Sequence, residues 1–401
     1  MFNRFQRFLK HLGPGFVTGA SDDDPSGIAT YAQAGAGFGF STLWTILFTV
    51  PLMIAVQEMS ARIALVTRRG LMHHIRNRYH RTLVIGVAFL LFLANTINIG
   101  ADLGMMASAA QSFVPVSFAG LLIFMALITL VLEIFTSYKT YARYLKWLTI
   151  SLFAYVVTAF FIHAPWKEVI ASTFIPRIQF NSDYLLILVA LLGTTISPYL
   201  YFWQANQEIE EEREHHYPKV STSLLRRMLG DVSFGMIFSN VIAWFIIVAT
   251  AVALFSHGYT EIASVDQAAH ALAPFAGSFA AALFSLGIIG TGLLTIPILS
   301  GTAAYACSEL FGVREGLSQK WWRAKTFYGV IIVSVVLGAG MNALGIPPFR
   351  ALVYSAIVNA LIAPPLLFMI LRIGSDKQVM GEHVSHSWSR LGGWLTFVVM
   401  T

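Results

Sequence analysis

The sequence predicts an all-α, polytopic membrane protein whose two five-span halves each open on an interrupted span. Three observations carry this reading. Of the 401 residues, 56% are hydrophobic and only 11% charged, with a mean hydropathy of +0.68, a composition outside the range of soluble domains. The apolar residues gather into successive segments near or above the ~20 residues that a helix needs to cross a bilayer. Two of these segments, the first and the sixth, carry polar residues and a proline close to their centres.

The first span, residues 14–39, contains Ser21-Asp22-Asp23-Asp24-Pro25-Ser26-Gly27 and no Lys or Arg. Each carboxylate near a bilayer centre costs about 2.5–3.5 kcal/mol on insertion scales. Pro25 and Gly27 break the helix at the same depth, and non-helical backbone survives there only inside protein or beside a cavity. A break beside carboxylates reads as a cation site. Asp24 could instead merely cap the second half-helix, with Pro25 in its first position. That accounts for one aspartate and not for three.

The second span, 41–66, carries Glu58 and Arg62 four residues apart, the spacing of an intrahelical ion pair. His73-His74 follows among arginines, a setting suited to anionic headgroups. The third span, 82–111, sets Asn95, Asn98 and Asp102 on one face at spacings of three and four, either lining a cavity or joining neighbouring helices. The fourth and fifth spans are 116–136 and 143–163. The sixth, 183–205, is broken at Gly193-Thr194-Thr195-Ile196-Ser197-Pro198-Tyr199, where Pro198 removes a backbone donor. The run Glu208, Glu210, Glu211, Glu212 and Glu214, ending at His215-His216, reads as a solvated loop. Spans seven to ten are 229–256, 275–307, 326–344 and 348–372. In the tenth, Asn359 precedes Ala363-Pro364-Pro365 and either faces the site or contacts a helix at a bend. Residues 389–401 read as the start of an eleventh helix, its apolar run from Leu391 being too short to cross.

The loops give an orientation. Of the 26 basic residues, all but Lys167, Arg177 and Arg350 fall on one side, which makes that side, with the N-terminus, cytoplasmic. The net charge of +6 is therefore a topology signal and calls for no nucleic-acid partner. Met1 to His11 is polar and basic and lacks the pattern of a cleavable signal. The single cysteine, Cys307, excludes an internal disulfide. The expected partners are the lipid bilayer of the plasma or inner membrane and a cation, and a monomer is one arrangement this allows.

The two interrupted spans run in opposite directions across the membrane. Paired interruptions of this kind point to a midplane site between inverted repeats. The expected repeats are 14–163 and 183–372, within a single transmembrane domain over 1–401.

Gly13-Pro14-Gly15-Phe16, Asp24-Pro25-Ser26-Gly27, Gln57-Glu58-Met59-Ser60-Ala61-Arg62 and Gly290-Thr291-Gly292-Leu293-Leu294 closely resemble the NRAMP family of metal-ion transporters, in order and over essentially the whole chain. The resemblance implies a LeuT-like inverted-repeat fold of ten core helices, often with an eleventh. It implies no cofactor, only a transported metal, and no enzyme activity. The family's Asp-Pro-Gly-Asn motif puts its Asp on Asp24 and its Asn on Gly27. Its sixth-helix Met-Pro-His puts Met on Ser197 and His on Tyr199. With the soft sulfur gone, Asp24, Asp23, Ser197 and the Thr194 carbonyl form an expected all-oxygen metal site, with Asp22 and Tyr199 as further candidates; such sites suit Mg²⁺ or Mn²⁺, and hard iron. Tyr199 is expected to pack or to hydrogen-bond more readily than to ligate.

Asp102 matches a family acidic residue, whereas nearby family glutamates fall on Asn95 and Met105. Together with the missing sixth-helix histidine, this predicts weak or absent proton coupling. Two alternatives stand: a proton-coupled Fe²⁺/Mn²⁺ transporter like the main family, and an organic-substrate or Na⁺ symporter on the same fold. An intramembrane metalloenzyme is set aside, because no His-Glu-x-x-His pattern occurs.

Overall fold

The two interrupted spans lie against each other, and the remaining helices are arranged around them. The computed structural model describes residues 13–136, 152–215, 220–262 and 265–401. Its elements are α1 (Pro14–Ala20), α2 (Pro25–Phe38), α3 (Leu43–Thr67), α4 (Leu71–Arg78), α5 (Arg81–Gln111), α6 (Phe118–Phe135), α7 (Phe153–Phe161), α8 (Trp166–Phe174) and α9 (Ser182–Thr195). There follow α10 (Pro198–His215), α11 (Thr222–Ala253), α12 (Val265–His270), α13 (Ala273–Ala276), α14 (Ala280–Phe311), α15 (Lys325–Met341), α16 (Pro348–Gly374), α17 (Lys377–Met380) and α18 (Ser387–Met400). Among the described residues, eight helical stretches are long and apolar enough to cross a membrane. One of them, Pro25–Thr67, joins α2 to α3 through a 3-10 turn at Gly39–Thr42.

The helix ends follow local chemistry. Asp24 caps α2 by accepting from Gly27 N, with Pro25 at the first position, where its missing N–H costs nothing. Ser117, Asn181 and Ser221 cap α6, α9 and α11 in the same way. The cap of α1 is long-range: Gly13 N and Gly15 N donate to the Asp231 carboxylate of α11 at 2.9 and 2.7 Å. An acidic side chain thus meets the positive end of the half-helix.

Two expectations need adjustment. The seventh helix begins at Thr222, seven residues before 229, because Ser221 supplies the cap. The acidic run is not a loop: α10 continues to His215, and Glu208 and Glu212 are buried. Arg68, at the end of the second span, lies 2.8 Å from Glu212, and Gln204, one turn earlier on α10, donates to Glu208 at 2.8 Å. Of the fifth span only Phe153–Phe161 is seen as helix, since residues 137–151 lie outside those described. The Glu58–Arg62 pair forms as expected, at 2.5 Å and buried.

Polarity is inside out relative to a soluble protein. Phe89, Phe124, Leu361 and Val398 are exposed, while Asp22, Asp24, Asn98 and Asp102 are wholly buried, the arrangement a hydrocarbon solvent demands. Both halves of the first span run along α11, and the backbones of α1 and α11 meet so closely that a Cβ on Gly19 would sit 2.3 Å from Gly235.

Candidate metal site

The break between α1 and α2 divides the three aspartates between two surroundings. Asp24 faces α5 and α10. Its Oδ1 accepts from Ser26 Oγ and Gly27 N, both at 2.6 Å. Its Oδ2 accepts from Asn98 Nδ2 and from the Tyr199 hydroxyl, both at 3.2 Å. Asn98 is held in turn by Ser355, which donates to its Oδ1 at 2.7 Å. Asp22 and Asp23 turn instead to α11, where the single Ser239 hydroxyl lies 2.6 Å from Asp22 Oδ2 and 3.2 Å from Asp23 Oδ1. Among the described residues, no three His, Cys, Asp or Glu side chains converge as a ligand set. The split explains why: a helical repeat cannot aim three consecutive residues one way, and unwinding the backbone here separates the third from the first two.

The sixth span supplies neutral oxygens. The Thr194 hydroxyl is buried and without a partner, and it lies 3.4 Å from where a Cβ on Gly27 would be. Ser197 points its hydroxyl back along its own span, donating to Gly193 O at 2.6 Å and Thr194 O at 2.8 Å. The Thr194 carbonyl, expected to be free, therefore already accepts one hydrogen bond. Ser21 does the same at the end of α1, bonding Val17 O at 3.0 Å and Thr18 O at 2.9 Å. Gly27 carries no ligand atom, and its role is close approach: a Cβ there would stand 2.9 Å from the Asp22 carbonyl oxygen.

The other candidates separate. Asp102 is wholly buried with neither oxygen partnered, and it is within electrostatic reach of Asp24. Asn95 leaves the cluster: its Nδ2 donates to Leu299 O on α14 at 3.1 Å. Asn359, one turn beyond Ser355 on α16, has a buried amide nitrogen with no partner. Tyr31, two helical turns beyond Asp24, carries a buried hydroxyl without a partner.

Sequence reasoning missed Ser239, Tyr31 and Ser355 as neighbours of the break. The adjacent polar pair Ser239-Asn240 inside an apolar span was the available signal for the first. It also missed Glu133, the lone acid of α6, which accepts from Ser300 Oγ at 2.7 Å and leaves its second oxygen unpartnered.

Electrostatically the cluster is one-sided. Among the described residues none of Asp22, Asp23, Asp24 and Asp102 pairs with a basic side chain. Buried carboxylates without a cationic partner are costly, so the arrangement favours entry of a cation. The groups hydrogen-bonded to Asp24 are the Ser26 and Tyr199 hydroxyls, the Gly27 N–H and the Asn98 amide nitrogen, with no imidazole or thiol among them.

The chain matches the family described as "Natural resistance-associated macrophage protein-like" over residues 15–401. It is 25% identical over 398 residues to the divalent metal cation transporter MntH of Klebsiella pneumoniae (strain 342), covering 98% of this chain and 92% of that one. The manganese transporter of Eremococcus coleocola, solved with an aromatic bis-isothiourea compound, superposes with a TM-score of 0.78 at 18% identity, covering 99% of this chain and 85% of that one. Mhp1, a nucleobase-cation-symport-1 family transporter, shares the fold more distantly, with a TM-score of 0.62 at 12% identity over 97% of this chain and 91% of that one. The architecture is thus the LeuT-like one, with the first and sixth helices broken, and the chain belongs to the NRAMP family.

Proposed function

We propose that this protein carries a divalent metal cation across the membrane by alternating access, and that its site prefers a hard ion, Mg²⁺ or Mn²⁺ with iron close behind. The observation that carries the proposal is that Asp24 is met by hydroxyl and amide groups and by no sulfur or imidazole donor, with Ser197 and Tyr199 where the family motif has Met and His. Asp24 is the principal ligand, and Thr194 contributes a neutral oxygen. Asp22 and Asp23 supply charge from the α11 side, through metal-bound water or after the break rearranges. Mg²⁺ sheds water reluctantly and binds through one or two carboxylates, which suits a single directed carboxylate with two more nearby. The metal is cargo, and no cofactor is required.

The repeats are proposed as 14–163 and 183–372, supported by the matching placement of Ser21 and Ser197 after α1 and α9. The N-terminus is proposed to be cytoplasmic, on the plasma or inner membrane, on the strength of the basic loops. Proton coupling of the family type is proposed to be weak. One observation favours the second reading, a proton-coupled transporter: the two unpartnered oxygens of Asp102, buried beside the cluster.

Uptake into proteoliposomes tests these readings, with Mg²⁺, Mn²⁺, Fe²⁺ and Cd²⁺ offered singly and a pH dye inside. Entry of Mg²⁺ or Mn²⁺ without acidification, lost in Asp24→Ala, is the expected result. Preferred entry of Cd²⁺ or Fe²⁺ with acidification would overturn the hard-ion reading and favour the proton-coupled one. No entry of any divalent ion would overturn both.

A further inference from the structure

A second charged feature lies away from the break. The C-terminal end of α16, the short α17, the start of α18 and the end of α4 enclose a cavity of about 650 Å³, whose lining includes Arg78, Arg372, Lys377 and Arg390. Of these four cations only Arg78 is neutralised, by an ion pair with Asp376. Arg372, Lys377 and Arg390 have no carboxylate partner among the described residues, and Arg390 reaches only the Ser387 hydroxyl, at 3.4 Å. Three concentrated positive charges at the ends of three helices are out of proportion to the one carboxylate beside them.

The cavity is also amphiphilic in one direction. The basic residues sit at helix ends, whereas Leu391 and Trp394 extend the lining along α18. The outer face of α18 continues as Leu395 and Val398, both exposed. A polar mouth rich in cations that opens onto an apolar helix face, with a tryptophan at the junction, is complementary to one end of a lipid molecule.

We propose that this cavity seats the headgroup of an anionic phospholipid. Its phosphodiester lies among Arg372, Lys377 and Arg390, and its acyl chains follow the Leu391–Val398 face of α18. The lining spans four elements, so the bound lipid ties the last helix to the end of α16 and to α4. No residue of the cavity belongs to the metal site, so the proposal stands apart from the identity of the cargo.

Native mass spectrometry of the purified full chain tests this, with phosphatidylglycerol, phosphatidylcholine and inorganic phosphate as separate probes. Wild type is expected to retain phosphatidylglycerol in preference to phosphatidylcholine. The double variant Arg372→Gln/Arg390→Gln is expected to lose about fivefold in affinity for each charge removed, and Arg372→Lys/Arg390→Lys to keep most of it. Equal retention of the two lipids by wild type, or undiminished phosphatidylglycerol binding by the Gln pair, would overturn the proposal. So would competition by millimolar inorganic phosphate, because the cavity would then be a simple anion site. A Lys pair that binds as poorly as the Gln pair would assign the effect to altered packing and would overturn it too.

Discussion

Tyr199 donates its phenolic hydrogen to Asp24 Oδ2 at 3.2 Å, so the broken sixth span holds the broken first span through the carboxylate proposed as the principal metal ligand. A metal ion bound at Asp24, as proposed, would compete with that hydrogen bond. A hydrogen bond of this class contributes about 0.5–1.5 kcal/mol net. Tyr199→Phe should therefore tighten divalent-metal binding by about two- to tenfold, as read by calorimetry on the purified protein. Weaker binding would make the phenol a ligand instead of a competitor.

Capping and ligation at Asp24 can be separated. Asn is as good a helix N-cap as Asp, whereas Ala costs about 1 kcal/mol. Asp24→Asn should keep the melting temperature near that of wild type yet abolish uptake, and Asp24→Ala should lose both. An Asn variant that still transports would relegate Asp24 to a structural cap.

Ser197→Met restores the family's sulfur at the sixth-span break. The expected outcome is a shift of uptake preference toward Mn²⁺ or Cd²⁺ at the expense of Mg²⁺. Ser197 is wholly buried, so overpacking should also lower stability by about 1–3 kcal/mol. An unchanged metal ranking, in protein that still folds, would remove Ser197 from the site.

Gly27 is a steric requirement. Gly27→Ala brings a Cβ to 2.9 Å from the Asp22 carbonyl oxygen, and stability should fall by about 1–3 kcal/mol. Gly27→Asn, which restores the family motif, should fare no better. Thermal melting of the two variants beside wild type decides the point, and an unchanged melting temperature would falsify the close-approach argument.

Two groups outside the spans have opposing pH dependences. Burial, then the neighbouring His73, Arg78 and Arg69, hold His74 down at about 4 from 6.5. The unfolded chain binds the extra proton between those values, so this group adds stability above pH 6.5 and loses it as pH falls toward 4. Burial, then Glu309 and Glu210, push Glu315 up from 4.5 to about 8 against the pull of Arg213 and Arg69. Here the folded chain keeps the proton, so stability declines as pH rises from 4.5 through 8. The two slopes oppose each other between pH 4.5 and 6.5, and the Glu315 decline continues from pH 6.5 to 8. Glu315→Gln should flatten melting temperature against pH in that window; a slope that survives in the variant belongs to another group.

What was legible in the sequence was local. The Asp24-Pro25 start of α2 and the Glu58–Arg62 pair follow from residues within one turn of each other. The existence of both breaks follows from Pro and Gly in apolar segments. What was hidden depends on partners far along the chain. Asp22 and Asp23 turn from Asp24 because Ser239, 217 residues beyond Asp22, waits on α11. The acidic run of α10 looked solvated because Arg68, from the end of the second span, is invisible at that position. Ser197 looked like a free ligand because the sequence does not say which way a hydroxyl turns.

Ser21 and Ser197 occupy equivalent places, each folding its hydroxyl onto the carbonyls three and four residues back at the end of a half-helix. Exposed carbonyls in a dry interior would otherwise need a cation for company. With the serines in place, two carbonyls at each broken end accept a hydroxyl hydrogen bond that calls for no ion. If the protein carries metal by alternating access as proposed, these two hydroxyl groups would ease the step in which it reorients empty.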